Sequence, residues 1–178
     1  KRSGRAITGD GRLREELTAS LPYQLTSGQR QVLHDIQGDM ALPQRMLRLL
    51  QGDVGSGKTV VALLAMLAAV ETGAQAAFMV PTEILARQHL QTLTGLCTAL
   101  SLRIQILTGR TKGRPRQALL EDLASGQIDI LIGTHALFTE DVIFNDLALT
   151  VIDEQHRFGV HQRLNLGDKG IAADILVM

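Results

Sequence analysis

The stretch LLQGDVGSGKTVVAL, residues 49–63, decides the fold. Within it, Gly52-Asp53-Val54-Gly55-Ser56-Gly57-Lys58-Thr59 fits the pattern G-x-x-x-x-G-K followed by Ser or Thr. An apolar strand-like run leads in and an apolar helical run leads out, so the glycines lie in a strand-to-helix loop. Such a loop lets backbone amides converge on phosphate oxygens, and the start of the following helix adds its dipole. Lys58 is then placed to reach the β and γ phosphates of a nucleoside triphosphate, and Thr59 to ligate Mg²⁺. The bland alternative, a plain glycine turn, does not need the strand and the helix on either side. The loop says that phosphate is gripped, but not what the grip is for.

Outward from the loop, helical and strand-like patterns alternate. Periodicity predicts helices over 26–40, 59–72, 83–100 and 116–125. Apolar, β-branched runs predict strands at 46–50, 76–80, 103–107, 128–133 and 147–153, with a last run, DILVM, at 174–178. Residues 1–20 have mixed charge and little periodicity and read as a linker or leader. This alternation predicts an α/β fold, a mostly parallel sheet covered by helices on both faces. Ligands of such sheets sit beyond the carboxyl ends of the strands. Leu93, Leu96, Cys97 and Leu100 share a helical face and read as core.

Composition narrows the options. The 178 residues are 45% apolar and 20% charged, an ordinary globular balance. The longest mainly apolar run, Val60 to Val70, is about half the ~20 residues that span a bilayer, so no membrane partner is expected. The single Cys97 excludes an intrachain disulfide and suits a reducing compartment such as the cytosol. Lys and Arg balance Asp and Glu at 18 each, so no overall basic charge announces nucleic acid. With four Phe, one Tyr and no Trp, bases would find few rings to stack on. Any nucleic-acid contact is therefore expected along the backbone.

After the strand LALTV comes Ile152-Asp153-Glu154-Gln155-His156. A carboxylate at the end of a buried strand can hold Mg²⁺, and its neighbour can orient and deprotonate an attacking water. Asp153 followed by Glu154, paired with a phosphate loop, favours hydrolysis over transfer to a metabolite. Thr82 with Glu83, and Thr134 with His135, lie at two further strand ends, where backbone amides can meet a nucleic-acid phosphate. Alternatively, Thr82 is only a helix cap and His135 a loop residue. TGRTKGRPR, residues 108–116, carries Arg110, Lys112, Arg114 and Arg116 without an acid: a DNA-phosphate loop, or a solvated basic loop.

Together these motifs resemble the superfamily 2 helicases and translocases. DEQH (153–156) is a form of their motif II, PYQLTSGQ (22–29) resembles the Q motif, and PTEILARQH (81–89) motif Ia. LTG (107–109) is similar to motif Ic and GTHAL (133–137) to motif Ib. The run VIDEQHRFGVHQR (151–163), with GDVGSGKT, is similar to the branched-DNA translocases of that superfamily. The transcription-repair coupling factor, a related motor, usually has Glu at the place of Gln155 and a bulky residue at that of Ser56. A non-catalytic nucleotide-binding module is the reading from another class, and the intact Lys58, Thr59, Asp153 and Glu154 argue against it.

The resemblance implies a RecA-like P-loop NTPase domain over residues 21–178, the first lobe of a two-lobe motor. It implies ATP and Mg²⁺ as ligands, with Gln29 reading the adenine edge and residues 52–59 cradling phosphate. Lys58, Asp153 and Glu154 would be catalytic, Thr59 and Asp153 would hold Mg²⁺, and Gln155 and His156 would couple the site to DNA. Thr82, Gly109, Arg110, Lys112, Thr134 and His135 would touch DNA. The implied partners are branched double-stranded DNA, such as forks and Holliday junctions, together with a second motor lobe and a wedge domain. A monomer in a bacterial cytosol is expected. Both ends look cut, and the chain stops before the family's motif III. The piece alone is therefore expected to bind ATP weakly and hydrolyse little.

Overall fold

The computed structural model describes residues 3–52, 57–153 and 173–178. Helices α1 (Arg12–Ser20) and α2 (Ser27–Met40) precede strand β1 (Leu47–Leu49). Then α3 (Lys58–Val70), β2 (Gln75–Met79), α4 (Glu83–Leu96), β3 (Ile104–Leu107), α5 (Gly113–Ala124) and β4 (Ile130–Gly133) alternate. A 3-10 turn (His135–Phe138) and strands β5 (Leu147–Ile152) and β6 (Asp174–Val177) complete the described elements. The strands form one sheet in the order β1-β6-β5-β2-β4-β3, and every pairing is parallel.

The expected two-sided sheet is present, and side-chain alternation along a strand produces it. On β2, Ala76 and Phe78 join the core formed with α1 to α4, while Ala77 and Met79 join the core with Leu123 of α5 and Leu137. On β4, Ile130 and Ile132 face the first layer and Leu131 the second. Helix α3 is buried from Val60 to Val70. It is sandwiched between the sheet and the pair α1 and α2, which explains an apolar character nearly all round. Gln75, a buried polar residue, is fully used: its amide nitrogen donates to the Leu123 and Ile128 carbonyls at 2.9 Å, and its oxygen accepts from Asp146 N at 2.9 Å. The β2–β5 register shifts between Gln75 and Ala76, where this staple sits.

Three expectations need correction. Residues 12–20 are not irregular: α1 packs on α3 through the buried Leu13 and Leu17, one helical turn apart. Burying each leucine is worth roughly 1.5–3 kcal/mol, enough to hold a short helix that propensity alone would not. Its first turn is also fastened from α3. Glu71 Oε2 accepts from Leu13 N at 3.0 Å, and Oε1 from Arg14 Nε at 2.6 Å. The second correction concerns α5, which begins at Gly113 rather than Arg116. Pro115 does not break it, because a proline in the first helical turn lacks only an N–H that has no intrahelical partner there. Residues 97–100, expected as helix, form a turn after α4 in which Leu100 N donates to Cys97 O at 2.9 Å. Cys97, Leu93 and Leu100 are core as expected, and burial pushes the Cys97 thiol up to about 11.

Candidate functional site

The carboxyl edge of the sheet is divided in two. On one half, β1 leads toward the glycine loop and Asp153 follows β5, with β6 alone between the two strands. Neighbouring strands lie about 4.8 Å apart, so the axes of β1 and β5 are roughly 10 Å apart. The ladder holds to the edge, with Leu50 N donating to Val177 O at 2.6 Å and Met178 N to Ile152 O at 2.8 Å. Helix α3 opens on Gly57 at φ +80°, a left-handed conformation suited to glycine, and Gly57 brings no capping side chain. Among the described residues no side chain caps the first turn of α3, which suits its amides to an anion, with Lys58 and Thr59 half-buried beside them.

Gln29 joins this half through the start of α2. Its Oε1 accepts from Thr26 N at 2.9 Å and its own N donates to Thr26 Oγ1 at 3.1 Å, a complete capping box. The other end of the same amide, Nε2, lies against Gly57 so closely that a Cβ there would collide with it. A glycine at 57 is therefore favoured by φ, and a larger residue would also displace the Gln29 amide. Asp153 is held by its backbone N, which donates to Met79 O at 2.8 Å. Its Oδ2 lies 2.9 Å from Nε2 of His89 on α4, and the two side chains are 14% and 15% exposed. The His89 ring also packs on Phe78 of β2, with centroids 4.7 Å apart.

The ends of β2, β4 and β3 make the other half. Thr82 is exposed and caps α4, its Oγ1 accepting from Leu85 N at 3.2 Å. Glu83 accepts from Arg87 Nη2 at 2.9 Å and pairs with Arg110 Nε at 3.5 Å, although the Arg110 side chain is 85% exposed. Gly109 and Lys112 are exposed, and Lys112 is the residue before the first turn of α5. Arg116 points elsewhere: it donates to Asp141 at 2.7 Å, and with the Thr139 hydroxyl it holds that carboxyl below its ordinary range. Thr134 is buried, its Oγ1 3.5 Å from Ala136 N at the start of the 3-10 turn, while His135 is exposed. Gly133 permits this corner, since a Cβ would strike the Leu107 carbonyl oxygen.

Residues 26–170 match the family DEAD/DEAH box helicase. The chain belongs to the DEAD/DEAH box helicase family. This helicase domain is 54% identical over 159 residues to the ATP-dependent DNA helicase RecG of Bacillus subtilis (strain 168), a match covering 89% of the chain and 23% of that protein. It is 50% identical over 164 residues to RecG of Escherichia coli (strain K12), covering 92% and 24%. A solved structure of RecG bound to a three-way DNA junction superimposes with a TM-score of 0.89 at 46% identity, over 99% of this chain and 24% of that one. The helicase MrfA shares the fold, with a TM-score of 0.71 at 19% identity over 95% of this chain and 29% of that one. The chain thus spans about a quarter of the RecG proteins it matches, and the expected helicase kinship and RecA-like α/β fold are borne out. No helix among the described residues is long and apolar enough to cross a membrane.

Within this helicase domain, Gln29, Gly52, Gly57, Lys58, Thr59 and Asp153 fall on one half of the edge. Thr82, Gly109, Arg110, Lys112, Thr134 and His135 fall on the other. Asp53, Val54, Gly55 and Ser56 of the loop, and Glu154, Gln155 and His156 of motif II, lie outside the described residues. The sequence reading missed His89. A signal was available: Ala86, His89, Leu90 and Leu93 follow the helical period, which puts a histidine on the inner face of α4.

Proposed function

We propose that residues 21–178 are the first motor lobe of an ATP-dependent translocase that moves on double-stranded DNA and remodels forks and Holliday junctions. The observation that carries the reading is the divided edge: phosphate loop and Asp153 on one side, exposed cap and basic loop on the other, in a chain about half identical to RecG. ATP is the proposed nucleotide, with Gln29 beside its adenine. The open first turn of α3 suits a phosphate, and the mostly buried Asp153 suits a cation.

In this mechanism the α3 amides and Lys58 bind the phosphate oxygens, while Thr59 and Asp153 hold Mg²⁺. Bound Mg²⁺ supplies charge neutralisation at the β and γ phosphates. Glu154 orients the attacking water and accepts its proton on the carboxylate, and Gln155 and His156 carry the change toward DNA. Thr82, Gly109, Arg110, Lys112 and His135 hold the DNA backbone without reading sequence, and Thr134 shapes the turn beneath His135. A second motor lobe would close over the nucleotide and add an arginine finger, worth roughly 10³ to 10⁵ in rate. A wedge domain would part the junction arms. The piece alone would bind ATP weakly and turn over little.

The test is ATPase of the full-length protein on forked, four-way and linear DNA. Strong preference for branched DNA supports the reading. Indifference to branching, with stimulation by RNA polymerase, would replace it with a transcription-coupled motor.

A further inference from the structure

We infer that His89 is a positioning residue that holds the Asp153 carboxylate and ties it to the DNA-gripping helix. The inference rests on reading Asp153 as the metal-holding carboxylate. A carboxylate can only accept, so the proton of this hydrogen bond sits on His89 Nε2. That fixes Oδ2, and in this reading Oδ1 is the oxygen that meets the cation or its water. Among the described residues, His89 is the side-chain hydrogen-bond partner of Asp153. Packing on the buried Phe78 removes the ring's freedom to swing away. Outer-layer hydrogen bonds of this kind orient metal-binding carboxylates, and their loss typically costs 10- to 100-fold in metal affinity.

The position of His89 gives the contact a second consequence. Its helix, α4, is the one capped by Thr82, and it carries Glu83, which pairs with Arg87 of the same helix and with Arg110. Thr82 and His89 lie less than two turns apart on one rigid helix. A shift of α4 as its N-terminus takes a DNA phosphate therefore reaches Asp153 through a single side chain. By linkage, the metal–nucleotide complex must change DNA affinity by the same factor that DNA changes metal affinity. His89 is thus a physical joint between the two halves of the edge, distinct from the coupling assigned to Gln155 and His156.

The experiment measures Mn²⁺ affinity of the full-length protein by electron paramagnetic resonance, with a non-hydrolysable ATP analogue, with and without duplex DNA. His89→Leu keeps the packing volume and removes the donor. His89→Asn keeps an amide too short to reach Asp153. Both are expected to weaken Mn²⁺ binding about tenfold and to abolish its DNA-dependent shift. His89→Gln, whose Nε2 can reach the same place, is expected to restore both. Wild-type Mn²⁺ affinity and a retained DNA shift in a folded His89→Leu or His89→Asn protein would overturn the inference. Asp153→Asn separates the two levels. If it leaves Mn²⁺ affinity unchanged, the metal-site reading itself fails. If Asp153→Asn loses Mn²⁺ while His89→Leu and His89→Asn both keep it, only the role of His89 fails.

Discussion

Replacing Glu71 by alanine should release α1 from the rest of the domain. Glu71 sits just beyond the last turn of α3 with its side chain 1% exposed, and both its oxygens serve α1. One accepts from Arg14 Nε at 2.6 Å; the other accepts from Leu13 N at 3.0 Å and lies 3.5 Å from Arg14 N. Removing one partner of a buried pair costs about 3–5 kcal/mol when the other charge is stranded. Here Arg14 remains 19% exposed and can recover some water, so the lower end, about 3 kcal/mol, is the better figure. At about 1.4 kcal/mol per factor of ten, that is roughly a hundredfold loss of protection for the α1 amides in hydrogen exchange. The measurement is exchange on the full-length protein, wild type against Glu71→Ala, with amides of α3 as the internal reference. A change in α1 of less than about threefold would refute the claim that this buried carboxylate fastens the helix. So would equal losses in α1 and α3, since the effect would then be global rather than local.

Three other outcomes are expected. Asp174 is buried, its Oδ2 has no hydrogen-bond partner among the described residues, and burial raises its carboxyl from 3.8 to about 6. A raised carboxyl makes the folded state bind its proton more tightly, so this site stabilises most below pH 4 and loses about 3 kcal/mol as pH rises through 6. Denaturant titrations from pH 4 to 7 should show that decline in the wild type and a flatter profile in Asp174→Asn. Gly133→Ala should lower stability by about 1–3 kcal/mol, because its Cβ would press on the Leu107 carbonyl oxygen and the Leu137 side chain; a thermal melt checks this. Arg110→Ala and Lys112→Ala should weaken DNA binding uniformly across sequences, each lowering the slope of log affinity against log salt by about 1. An unchanged slope would make this a merely solvated loop.

Much of the fold was legible because buried parallel strands are continuous apolar runs and α3 is apolar all round. The glycine loop and the carboxylate after LALTV mark two strand ends on one half of the edge from the sequence alone. What stayed hidden depends on distant partners. α1 shows only two leucines among charges, and its fastening comes from Glu71, far along the chain. The start of α5 was obscured because Gly113 and Pro115 resemble a loop when the tolerance of a first helical turn is overlooked. Strand order was equally out of reach, since no local pattern says that β6 lies between β1 and β5. His89 belongs to the same class: its meaning is the 2.9 Å to a carboxylate 64 positions away.

The central claim is that one half of this edge fires ATP hydrolysis and the other half grips duplex DNA. Displacement of a third strand from a DNA triplex by the full-length protein, wild type against Lys58→Ala, tests it most directly. ATP-dependent displacement is expected of the wild type and its complete loss in Lys58→Ala, with triplex binding retained. Displacement by Lys58→Ala at the wild-type rate, or displacement without ATP, would contradict it.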